Sequence, residues 1–118
     1  FSTDLVTLKN SAAVLISNPG FWQVDVTSSL LFSSGVIREV TIRISDGISS
    51  KNIWRITSDS TGADDVTTSF EDKFVVFLRG GDSLTAVSNN TLAIANIWYR
   101  QIATVNGTLV NPLGYSAA

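Results

Sequence analysis

An all-β fold is predicted here, an antiparallel β-sandwich of jelly-roll type with about eight strands. Three observations predict it. Short apolar runs with a period of two recur between turn signals at spacings of roughly 8–12 residues. No segment carries a 3.6-residue apolar period with helix caps. Apolar residues make up 44% of the chain and charged ones only 15%, and the remainder is dominated by Ser, Thr, Asn and Gly, which favour turns and wet strand faces over helices.

Taken in order, Leu5 to Leu8 and Ala12 to Ile16 read as short strands or a clamped arm, parted by Lys9-Asn10-Ser11. Asn18-Pro19-Gly20 is a turn, because Pro presets φ and Gly accepts the left-handed position after it. In the next strand Trp22, Val24, Val26, Leu30 and Phe32 share one parity, and Gln23, Asp25, Thr27 and Ser29 take the other. Ser33-Ser34-Gly35 breaks it. Val36, Val40, Ile42 and Ile44 then point inward, against Glu39, Thr41, Arg43 and Ser45 outward. Arg38 falls in the inward parity, which places it at the rim or against a partner. Asp46-Gly47 signals a hairpin, followed by a short strand at Ile53 to Thr57 with Trp54 and Ile56 on the core side.

The run from Phe74 to Val87 organises the chain. It holds two β-forming segments around Arg79-Gly80-Gly81-Asp82, where a Gly pair can supply the positive φ of a tight reversal. Phe74 to Leu78 is apolar at five consecutive positions, so both faces of that strand must be covered. Leu92 to Val105 is apolar on both parities as well, and Asn106-Gly107 closes a last hairpin. Trp98 and Tyr99 are neighbours, so one of them must leave the core. Trp22, Phe32, Trp54, Phe74 and, on the simplest reading, Phe77 are core aromatics. The outward residues of the two-sided strands, assigned as Val75, Phe77, Ile97 and Tyr99, are expected to touch other subunits.

At 118 residues the chain is expected to be one domain, with an N-terminal arm over 1–11 and a C-terminal arm over 111–118. A net charge of -2 and eight scattered cations give no surface for nucleic acid. No apolar run exceeds five residues, far short of a membrane helix. Without His or Cys the common acid–base switch, the thiolate nucleophile and the usual zinc ligands are missing. The acids lie in turns or on wet strand faces, so neither catalysis nor a cofactor is expected. The acidic loop from Ser58 to Ser69 lacks the spacing of a calcium-binding loop and reads as solvated. Arg79-Gly80-Gly81-Asp82 has one Gly too many for the integrin tripeptide. Asn89-Asn90-Thr91 and Asn106-Gly107-Thr108 match the glycosylation acceptor pattern, and both Asn residues also serve as turn formers.

Four segments carry a resemblance: Asn18 to Trp22, Arg43 to Gly47, Phe77 to Ala86 and Ile97 to Arg100. In that order they resemble the small β-sandwich proteins that decorate or cement tailed-phage capsids. The Gly-Asp turn after a hydrophobic strand is also similar to the jelly rolls of the tumour-necrosis-factor and complement-C1q type. The resemblance implies a structural virion protein on the capsid surface, a homotrimer with the major capsid protein as partner, and no catalytic residues. Capsid contacts are expected at the two ends, through Phe1, Leu5, Leu113 and Tyr115. Two other roles fit the same residues: a receptor- or carbohydrate-binding head of a tail fibre using exposed aromatics, and a subunit of an extracellular filament.

Overall fold

The computed structural model describes residues 4–33, 35–58 and 66–110. Eight strands run in sequence as β1 (Asp4–Lys9), β2 (Ala12–Ile16), β3 (Gly20–Phe32), β4 (Glu39–Ser45), β5 (Ser50–Thr57), β6 (Val66–Leu78), β7 (Ser83–Ser88) and β8 (Ala93–Ala103). They form two antiparallel sheets, ordered β1-β8-β3-β6 and β2-β7-β4-β5. First pairs with last, second with seventh, third with sixth, and fourth with fifth. That nesting is a single long hairpin wrapped over itself, which is the jelly roll expected above. Of the eight strands, β4 and β5 alone form a hairpin with each other as consecutive neighbours, and each other consecutive pair changes sheet. Beyond β8 the expected Asn106-Gly107 reversal closes a further short hairpin, in which the Thr104 amide donates to the Thr108 carbonyl at 2.8 Å.

The core lies between the sheets and follows the period of two. Val24, Val26 and Leu30 of β3 face Val40, Ile42 and Leu84 of the opposite sheet, all but closed to water. Large residues sit opposite small ones in register: Ile42 beside Ala86, Leu30 beside Ala93, Leu8 beside Ala95. Alternating bulk in this way fills the space between layers without voids. Trp22, Phe32, Trp54, Phe70 and Phe74 close its margins. On one flank the Trp54 indole donates to Asp72 Oδ2 at 3.1 Å, tying edge strand β5 to edge strand β6 across the two sheets.

Two sequence-based expectations change. The segments around Arg79-Gly80-Gly81-Asp82 do not pair with each other, because β6 and β7 belong to different sheets. The turn is a corner, closed by the Asp82 amide donating to the Arg79 carbonyl at 3.0 Å, and only Gly81 takes a positive φ, +90°. Second, the strand ending at Leu78 begins as far back as Val66, through the polar Glu71-Asp72-Lys73. All thirteen of its residues pair with β3, so the ladder carries a segment that composition alone would leave in a loop. At the first corner Gly20 is obligatory: with φ at +134°, a Cβ there would lie 2.8 Å from the Ala103 carbonyl oxygen.

Arg38, expected at the rim or on a partner, is buried at 7% exposure and holds one end of the sandwich together. Its Nε donates to Asn90 Oδ1 at 3.1 Å, and Nη1 donates to the Leu31 carbonyl at 2.9 Å and to Ser33 Oγ at 2.7 Å. The backbone beside it exchanges bonds with Ser58, whose amide donates to the Arg38 carbonyl and whose Oγ accepts from the Arg38 amide. Asn89 completes this end, accepting from the Glu39 amide and donating to the Ile37 carbonyl. Replacing Arg38 by Met removes the guanidinium donors from the part-buried Leu31 carbonyl and Ser33 hydroxyl, and leaves Asn90 Oδ1 only its bond from the Leu92 amide. The expected cost is about 2–3 kcal/mol, read as a lower urea midpoint with an unchanged slope.

Carboxylates hold the turns at the other end. The Asp82 carboxyl is held below its ordinary range by the Arg79 amide first and the Arg79 guanidinium second. Asp46 is lowered by the Ser49 and Ile48 amides that its Oδ1 accepts from, each at 2.8 Å. Glu39 is lowered chiefly by Arg55, whose Nη2 lies 2.7 Å from Oε2, and then by the Thr41 hydroxyl. Depressed carboxylates stabilise the fold above their unfolded values and lose that contribution as pH falls through the folded ones. With no His in the chain, the melting temperature should be nearly flat from about pH 5 to 8 and drop below about pH 4. Asp82→Asn should flatten the acid limb, a result that differential scanning calorimetry across pH would show.

Candidate functional site

The outer face of the β1-β8-β3-β6 sheet is a grid set by register. Reading from β1 across to β6, its rows are Lys9, Ile94, Ser29 and Ser69; then Thr7, Asn96, Thr27 and Glu71; then Leu5, Trp98, Asp25 and Lys73. The next rows are Arg100, Gln23 and Val75, and last Phe21 with Phe77. Rows stand about 6.7 Å apart and strands about 4.8 Å apart. Hydrogen bonds lock part of the grid. Arg100 Nη2 donates to Gln23 Oε1 at 2.8 Å, and Gln23 Nε2 donates on to Asp25 Oδ1 at 3.2 Å. Thr7 Oγ1 donates to Asn96 Oδ1 at 2.8 Å.

The face has two chemically distinct parts. At the corner next to the Arg79–Asp82 turn, Phe21 and Phe77 pack with ring centroids 4.6 Å apart, and Val75 stands beside them on the same strand. Val75 is 58% exposed and Phe77 38%, so no described part of the chain covers the rear of the Phe74–Leu78 ribbon. Further along, hydroxyls, amides and carboxylates surround Trp98. Two adjoining depressions, about 420 and 250 Å³, share Thr27 and Glu71 along this part.

The expected outward residues divide here. Val75 and Phe77 do face outward, which corrects the simpler reading of Phe77 as a core aromatic: it shares the outward parity of β6 with Val75. Ile97 and Tyr99 do not, which is a correction: Ile97 is 0% exposed, and Tyr99 packs on the core with its ring 6.2 Å from that of Trp22. β8 is apolar on both parities, so its sequence leaves the choice of face open. The choice is made by its neighbours, since Ile97 pairs with Val26 and Tyr99 with Val24, both inward residues of β3. Trp98 is accordingly the aromatic that leaves the core.

Of the expected capsid contacts, Leu5 lies outward on β1 at 53% exposure, whereas Phe1, Leu113 and Tyr115 fall outside the described residues. The acidic part of the Ser58–Ser69 loop, residues 59–65, also falls outside them. Among the described residues no cluster of three or more metal-ligating side chains occurs. Two surface features escaped the sequence reading. Phe21 follows a turn and reads as a strand start, yet it completes the apolar corner. Ile48, 96% exposed at the tip of the β4–β5 hairpin, sits between turn residues; an apolar residue inside a turn signal is the cue that could have found it.

No protein-family model matches the sequence, and no curated protein matches it. Among solved structures it is similar to a pentameric capsid protein isolated from metagenomic phage sequences and solved by iodide phasing. The two share 32% identity with a TM-score of 0.73, over 93% of this chain and 72% of the other. A further pentameric capsid protein from metagenomic phage sequences gives 31% identity and a TM-score of 0.74, over 93% of this chain and 66% of its own.

Proposed function

This chain belongs to the family of those phage capsid proteins, and we propose that it decorates a phage head as a closed ring of five copies. It is a structural protein of the virion, and no catalytic step is assigned to it. The observation that carries the ring of five is the 32% identity, at a TM-score of 0.73, to a pentameric capsid protein. Five replaces the three copies expected from sequence because both related structures are pentameric.

The geometry supports this reading. A five-fold ring is built from a heterologous contact, in which one patch of each subunit meets a different patch of the next. Phe21, Val75 and Phe77 form an apolar patch on an outer sheet face, the kind of surface whose burial drives association. The edges of the sheet are poorer candidates. β6 carries Glu71, Asp72 and Lys73 along the middle of its open edge, and charged edge residues oppose strand addition. The β6 edge is thus a weaker contact than the face formed by Phe21, Val75 and Phe77. A ring of five matches the symmetry of an icosahedral vertex and presents five copies of each shell contact together, so weak individual contacts sum to firm attachment.

Light scattering at micromolar concentration, coupled to size-exclusion chromatography, tests the ring. Five copies of the 12.6 kDa chain, about 63 kDa, are expected, and a monomer or a trimer would overturn the assignment. Val75→Glu and Phe77→Glu should shift the mass to that of one chain while leaving the circular dichroism spectrum intact. Tyr99→Glu should instead lower the melting temperature sharply, by burying a charge in the core. Stoichiometric cosedimentation with heads lacking the protein tests the decorating role.

A further inference from the structure

The polar part of the outer face is built differently from the apolar corner, and its chemistry calls for another ligand. Trp98 projects between Leu5 of β1 and Asp25 of β3, with Lys73 of β6 beyond. The next row adds Asn96, Thr27 and Glu71. The two depressions here, about 420 and 250 Å³, adjoin through Thr27 and Glu71, and the larger falls within the range of roughly 300–1,000 Å³ typical of small-ligand sites.

Several polar groups in this trough retain capacity to bond outward. Asn96 Oδ1 is taken by the Thr7 hydroxyl, which directs its Nδ2 donors elsewhere. Asp25 accepts from Gln23 through Oδ1 and keeps Oδ2. The side chains of Thr27, Glu71 and Lys73 make no side-chain hydrogen bond among the described residues. Acceptors, donors and one flat aromatic thus lie within two adjacent rows, about 6.7 Å apart along the strands and about 4.8 Å between them.

This combination discriminates among occupants. Two carboxylates against one ammonium oppose a phosphate or another anion. A second protein copy pressed onto the trough would strip water from Asp25 and Glu71 without supplying matched donors, which is unfavourable. A sugar ring meets both demands. Its hydroxyls donate to the carboxylates and accept from Asn96 and Lys73, and its apolar C–H face packs on an indole.

We propose that the trough over β8, β3 and β6 binds a neutral oligosaccharide, with Trp98 stacking on one ring and Asp25, Asn96 and Glu71 holding its hydroxyls. Asp25 lies four residues along β3 from Phe21, about 13 Å, so the trough and the apolar corner occupy different rows of the same face. The site does not depend on the number of copies in the ring.

The assembled full-length protein is applied to an array of neutral glycans, with sialylated glycans as the anionic comparison. Positives are titrated in solution by tryptophan fluorescence, with triacetylchitotriose and maltotriose included as defined probes. Saturable binding of at least one neutral glycan is expected, weakened tenfold or more by Trp98→Ala and several-fold by Asp25→Ala or Glu71→Gln. The mass of the assembly and the circular dichroism spectrum should be unchanged in these variants; if Trp98→Ala does not fold, the two carboxylate variants carry the test. Absence of binding across the array, binding confined to sialylated glycans, or binding that these variants leave untouched would each overturn the proposal.

Discussion

Strand β3 is hydrogen-bonded on both edges, to β6 along its whole length and to β8 from Phe21 to Leu30. That double pairing decides which side chains the sheet hides and which it shows. Because successive residues alternate faces, a slip of one position would turn Val24, Val26 and Leu30 out to water and bring Gln23, Asp25 and Thr27 into the core. The buried side chains of the opposite sheet penalise any such slip. The inner face secures the register, and the register in turn lays out the outer face, row by row, as the surface available for contact.

The wrap that brings β3 between β6 and β8 is made almost entirely of distant partners. Asp4 pairs with Tyr99 and Ala12 with Val87, and only the β4–β5 hairpin is local. Loop-closure entropy must be met before such pairings return any stability, which is the physical origin of slow folding in this class of topology. Corners therefore matter as much as strands. The Arg79–Asp82 turn and the Arg38 cage stand at opposite ends of the sandwich; the first closes the β6–β7 corner on itself, and the second ties together segments around β3, β4 and the β7–β8 turn. Among the described residues the hydrogen-bond partners of the Arg38 guanidinium are neutral oxygens, of Asn90, Leu31 and Ser33.

The same outer face separates two kinds of recognition. Apolar area is concentrated at the Phe21–Phe77 corner, where burial alone can drive association. Hydrogen-bonding groups are concentrated around Trp98, where burial against protein is unfavourable and a hydroxyl-rich ligand fits. Charges along the open edge of β6 discourage strand addition there.

Much of the fold was legible in the residues. Alternation in β3 and β4, the Asp46-Gly47 hairpin and the Asn18-Pro19-Gly20 corner are local properties, set by side-chain period and by φ preference. The two-sided apolar character of Phe74 to Leu78 was legible too, and with it the exposed Val75 and Phe77. Local chemistry could not settle β8, where both parities are apolar, or the Glu71-Asp72-Lys73 stretch, which belongs to a strand only because β3 pairs with it. Nor could it reveal that Phe21 meets Phe77, or that Trp98 lies beside Asp25 and Lys73. Those juxtapositions join residues up to 73 positions apart, and they exist only once the wrapped hairpin has closed and a ladder of hydrogen bonds has set the register between strands.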